Sequence, residues 1–180
     1  MDQREATVFQ KHDQIMDVTQ EINQSVCYLG ADPGASGAIA VIDGSTMNLT
    51  VFKWTEDRAL NFEMLQKIRN CYGVIHGVVE RVHSMPQQGV RSTFTFGRNY
   101  GELLMALTAA KIPFEDVTPA KWQSDLSVKK REKGKNAQHK RNLAALARQL
   151  YPNTKLTLAT ADAALLATWM YRKTLKTVGY

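Results

Sequence analysis

Three acids stand out for the company they keep. Asp32 lies in the glycine-rich turn of GADPGASGAIAVIDG (residues 30–44), Glu80 closes the apolar run VIHGVV, and Asp162 sits among Ala159, Ala161, Ala163 and Ala164. A lone ionised carboxylate is costly to bury. Three of them, remote along the chain and each set in apolar or small-residue surroundings, point to a shared cation. Oxygen-only ligands suit magnesium or manganese rather than zinc. Singly, each acid has a plainer role. Asp32 suits a turn before Pro33-Gly34, Glu80 a loop start paired with Arg81, and Asp162 the favourable acid of a first helical turn. The weight rests on the ordered set.

Basic residues gather in one segment. Between positions 121 and 150 lie Lys121, Lys129, Lys130, Arg131, Lys133, Lys135, Lys140, Arg141 and Arg148, against Asp125 and Glu132 only, a net +7. The whole chain carries +6, so the remainder is close to neutral. A concentrated basic stripe fits a polyanion partner, although a solvated helix face would also carry it. The stretch Arg91–Arg98 interleaves Arg91 and Arg98 with Phe94 and Phe96. An aromatic there could stack on an unpaired base or pack into the core. No Ser/His/Asp or Cys/His set offers a nucleophile.

These residues need elements to position them. The chain has 180 residues, enough for one well-cored domain, and its 44% apolar and 22% charged content is that of a globular chain. No apolar run approaches the roughly 20 residues that span a bilayer, so no membrane partner is expected. The acids Asp2, Glu5, Asp13, Asp17 and Glu21 argue against a transit peptide. Cys27 and Cys71 form no metal or redox pattern and are expected as reduced, buried thiols in a cytoplasmic compartment. Residues 1–25 are polar and read as an N-terminal arm, helical or disordered, with residues 26–180 forming the folded domain.

Strands are expected at Val26–Asp32, Ser36–Asp43 and Met47–Trp54, linked by short turns and so antiparallel. Leu60, Met64, Leu65 and Ile68 mark a helix. Val74–Glu80 is a fourth strand, apolar enough to be central. RVHSMPQQGVRSTFTFGRN reads as loop, Tyr100–Lys111 as helix, and Ile112–Val117 as a fifth strand. Thr118 caps a short helix with Pro119 in its first turn. Ala137–Leu150 and Thr160–Lys173 are the last helices. The order predicts an α/β fold, a mixed five-stranded sheet flanked by helices. Small residues around Asp162 would let the last helix approach the sheet closely.

In this order GADPGASGAIAVID, VVERV, FGRNYG, TPAKWQ, GKNAQHKRNL and ADAALLA resemble the RuvC-like Holliday junction resolvases of the RNase H-like nuclease superfamily. The long ERVHSMPQQG loop is similar to phage or organelle-type members. The resemblance spans roughly residues 26–172. It implies that Asp32, Glu80 and Asp162 hold two magnesium ions, with manganese able to substitute. It also implies that Lys140, after the loop at Gly134, is a basic residue near the scissile phosphate, and that Lys121 is a second. The implied reaction is two-metal hydrolysis of a phosphodiester, by an endonuclease acting as a two-fold homodimer on four-way or other branched DNA. The helix bearing Gly101, Leu104, Met105 and Thr108 is the expected dimer face. Lys129, Lys130, Arg131, Lys133, Lys135 and Arg141, with Arg91, Phe94, Phe96 and Arg98, are the expected DNA contacts. The location implied is cytoplasmic and DNA-associated, or an organelle or phage-infected cell.

One departure matters. The family usually carries an acid or histidine three or four residues before the helix aspartate, where this chain has Ala159 and Leu158. Three acids suffice, or Asp43 or His83 substitutes, or the chain carries a disabling change. Rival functions are a superfamily nuclease for flaps or hybrids, a phosphate-cradling ATPase or sugar-kinase-like domain, and a junction-binding protein that does not cut.

Overall fold

The computed structural model describes residues 25–34, 37–82, 89–129, 132 and 134–179. The expected N-terminal arm, apart from Ser25, lies outside the described residues, as do His83, Lys130, Arg131 and Lys133. Five strands form one sheet: β1 (Val26–Asp32), β2 (Ala38–Asp43), β3 (Leu49–Lys53), β4 (Val74–Glu80) and β5 (Phe114–Val117). The helices are α1 (Arg58–Cys71), α2 (Val90–Ala109), α3 (Pro119–Asp125), α4 (Asn136–Leu150) and α5 (Ala161–Val178). Among the described residues no helix is long and apolar enough to cross a membrane.

The sheet order is β3-β2-β1-β4-β5. The short turns make β1–β2 and β2–β3 antiparallel, while the helical crossovers make β1–β4 and β4–β5 parallel. The sheet is thus mixed and five-stranded, as the hydrophobic pattern predicts.

Period-two alternation divides the core between the two faces. Cys27, Leu29, Ala31, Ile39, Val41 and Val79 pack with Leu65 and Ile68 of α1 and Leu103 and Leu107 of α2. Tyr28, Ala38, Ala40, Ile42 and Val78 pack on the other face with α4 and α5. From Ala161 to Met170 every residue of α5 except Asp162 is buried. A helix apolar all round belongs inside, and the alanines set how close it comes.

The expected loop before Tyr100 is a correction: α2 already begins at Val90. Gly89 caps it without a side-chain hydrogen bond, and Val90 and Phe94 stay 88% and 73% exposed. The first turns therefore carry no buried periodic face, and Gly97, Thr93 and Thr95 lower helix propensity. Only from Leu103 does burial impose a helical period. Cys71 is a second correction. Cys27 is buried, and burial pushes its thiol up to about 12, but Cys71 is an exposed free thiol. It falls in the last turn of α1, past Ile68, where the helix leaves the core.

Candidate active site

Register brings two of the acids together. Parallel pairing sets Ala31 beside Val79, so Asp32 and Glu80 are neighbours at the carboxyl ends of β1 and β4. Ala31 and Val79 point to the α1–α2 face. Alternation therefore turns Asp32 and Glu80 to the opposite face, where α5 lies. The carboxyl ends of adjoining strands are where open α/β sheets bind ligands.

Close packing brings the third. A Cβ built on Gly30 would fall 2.4 Å from the Ala163 carbonyl oxygen and 2.3 Å from the Ala167 nitrogen. The backbone of α5 thus rests directly on β1, with Asp162 in its first turn.

The electrostatics report the convergence. Burial pushes the Glu80 carboxyl up to about 7, helped by the negative charge of Asp32 and then of Asp162. Burial and Asp32 raise Asp162 to about 6. Burial raises Asp32, against the opposing pull of the Gly34 N–H and of Lys140. The Lys140 ammonium, exposed on α4, favours the ionised form of all three acids.

Two of the acids have one oxygen held by the protein. The Gly34 amide donates to Oδ1 of Asp32 at 3.0 Å. The Trp122 indole Nε1–H donates to Oε1 of Glu80 at 2.8 Å. Among the described residues no three His, Cys, Asp or Glu side chains stand close enough together to hold a metal ion as they are placed. The donor chemistry nonetheless fits a hard divalent cation: three partly buried carboxylates, with Asp32 raising the proton affinity of Glu80 and of Asp162.

The other predicted residues are spread more widely. Lys121 pairs with Asp125 at 2.9 Å and lines the α3–α5 groove with Trp169 and Arg172. Lys135 pairs with Glu132 at 2.6 Å. Lys129 and Arg141 are exposed near the start of α4. Arg91 and Phe94 are exposed on the first turns of α2, Phe96 is half-buried, and Arg98 lies 3.7 Å from Glu102.

Asp43 does not replace the missing acid. It pairs with Cys27, whereas Asp32 pairs with Ala38, so it sits at the far end of the sheet, about 17 Å away at roughly 3.4 Å per residue. Its Oδ1 accepts from the Ser45 and Thr46 amides at 2.9 and 2.8 Å and from both hydroxyls, which lowers its carboxyl to about 2. Asp43 holds a turn. Leu158 is exposed and Ala159 half-buried, and neither brings a ligand atom.

The indole of Trp122, bonded to Glu80, is not among the residues the sequence singles out. Its signal was available: a buried tryptophan must find an acceptor for its N–H, and TPAKWQ follows the strand beside Glu80.

The sheet order, the crossovers and the acids at the strand ends define an RNase H-like α/β fold. No family model matches the sequence, and a comparison with curated proteins finds no match. Among solved structures the fold is similar to Thermus thermophilus RuvC, with TM-score 0.56 and 18% identity over 82% of this chain and 96% of that one. It is also similar to T. thermophilus RuvC in complex with a Holliday junction substrate, with TM-score 0.58 and 15% identity over 86% and 96% of the two chains.

Proposed function

We propose that this protein is a magnesium-dependent endonuclease that resolves four-way DNA junctions and works as a homodimer. The observation that carries the reading is the gathering of Asp32, Glu80 and Asp162 at one sheet end, under the charge of Lys140, on a fold shared with RuvC.

Asp32, Glu80 and Asp162 would hold the cations, with manganese able to replace magnesium. Bound divalent ions supply an activated water and stabilise the leaving 3′ oxygen. The side chains do the rest. Asp32 and Glu80, each with one oxygen fixed, present their free oxygens in a set direction. Lys140 offsets negative charge on the phosphoryl oxygens. Lys129, Lys135 and Arg141 line up phosphates without reading sequence, and the exposed ring of Phe94 is available to stack on an unpaired base.

A junction has two-fold symmetry, so paired cuts call for two copies of the site. The open side of α2 suits that contact: Met105 is 65% exposed, and a Cβ on Gly101 would meet nothing within 4 Å. The protein would work wherever its cell keeps branched DNA.

The test is cleavage of a synthetic four-way junction with Mg2+, with Mn2+ and with chelator, alongside flap and hybrid substrates. Symmetric, metal-dependent nicks confined to the junction are expected, and Asp32→Asn should bind the junction without cutting it. Cutting retained by Asp32→Asn sinks the reading. A second reading, junction binding without cutting, is favoured by Leu158 and Ala159, which supply no ligand where the resemblance implies one. It predicts tight binding with no nicks under either metal.

A further inference from the structure

The short helix α3 is fastened on two sides by tryptophan N–H groups. Val117 of β5 pairs with Glu80, so the chain leaves the sheet beside the acid. Thr118 caps α3 and Pro119 starts it, which aims the next turn back at the strand ends. There Trp122, 0% exposed, gives its indole N–H to Oε1 of Glu80 at 2.8 Å. At the end of α3, Oδ2 of Asp125 accepts from the Trp169 indole of α5 at 2.8 Å, while Lys121 holds Oδ1. The helix is thereby tied both to the strand that carries Glu80 and to the helix that carries Asp162.

We propose that Trp122 is a positioning residue for the acidic centre: its indole N–H holds one oxygen of Glu80 and so turns the other toward a cation as the favoured ligand atom. This rests on the reading of the three acids as a cation site. Phe would fill the same core with no N–H to satisfy; tryptophan brings one, and the acid beside it accepts. The bond fixes the carboxylate rotamer, as the Gly34 amide does for Asp32. Single-oxygen ligation suits Mg2+, which demands near-octahedral geometry, better than Ca2+, which accepts two oxygens of one carboxylate.

The experiment follows the indole N–H resonances of Trp54, Trp122 and Trp169 by 1H–15N NMR in the full chain, assigned by single Phe replacements, while MgCl2 is added. The Trp122 resonance should shift with the calorimetric Mg2+ isotherm and more than that of Trp169. Trp122→Phe should weaken Mg2+ binding about tenfold or more, a loss typical of removing a ligand's hydrogen-bond partner. Ca2+ binding should fall less, because both Glu80 oxygens become free; a merely structural loss would weaken both ions alike. Saturable Mg2+ binding with an unmoved Trp122 resonance overturns the proposal and leaves the cation site standing. No saturable Mg2+ binding by the wild type overturns both. The titration uses the unmutated protein, so it decides the matter even if Trp122→Phe fails to fold.

Discussion

Gly30 of β1 and Ala163 of α5 touch backbone to backbone: a side-chain carbon on Gly30 would stand 2.4 Å from the Ala163 carbonyl oxygen. The atoms in the way are main chain, so no rotamer change relieves the clash. Gly30→Ala must push α5 off the sheet. The expected cost is about 1–3 kcal/mol or more, read as a melting temperature lower by roughly 2–4 °C per kcal/mol for a chain of this size. Mg2+ binding should weaken too, because Asp162 moves with α5. Unchanged melting would contradict the close approach.

Glu80 sets a pH dependence on the metal-free protein. Its folded carboxyl titrates at about 7 against an ordinary 4.5, and that of Asp162 at about 6 against 3.8. Between about pH 4 and 7 the native state therefore binds more protons than the unfolded chain, and stability falls as pH rises through that window. In chelator, thermal unfolding should show a higher melting point at pH 5 than at pH 8. Glu80→Gln should flatten the slope and melt several degrees above wild type at pH 8, since the amide oxygen still accepts from Trp122. Magnesium should raise the wild-type melting point at pH 8 far more than at pH 5, because ligation needs ionised acids. A wild type and Glu80→Gln pair with parallel pH profiles would refute the assignment.

Lys140 is exposed, yet its charge reaches all three acids. Lys140→Ala should weaken junction binding and reduce the slope of log affinity against log salt by about one. Cleavage at saturating DNA should fall further than binding does. Equal losses in both would make Lys140 a phosphate contact without a part in the reaction.

Met105→Glu tests the assembly. Light scattering after size exclusion should show a dimer for the wild type and a folded monomer for the variant, because Met105 is 65% exposed in its own chain. A dimer that survives the change lies elsewhere on the surface.

Much of this was readable from residue types. Alternation in VCYLGAD and VIHGVVE predicts which way Asp32 and Glu80 turn once the strands are parallel neighbours. The alanines round Asp162 predict a helix pressed against a sheet, and Gly30 is where it presses. Other features follow from tertiary context. The first turns of α2 bury almost nothing, so no apolar period betrays them. The distance of Asp43 from the acids is a matter of strand direction: residues eleven apart in sequence lie at opposite ends because β2 runs back along β1. The role of Trp122 needs the pairing of β5 with β4, a contact between segments nearly forty positions apart, which local pattern does not encode.

The acids enter the polypeptide in a fixed sequence, and the helix carrying Asp162 is the last element described. During synthesis, strands β1 to β4 leave the ribosome with two carboxylates and no third. The proposed cation site is therefore incomplete until translation has passed Asp162 and α5 has settled onto Gly30. A chain cut short before that helix would leave the sheet face that α5 covers bare to water, so it would lack half a core as well as the third acid.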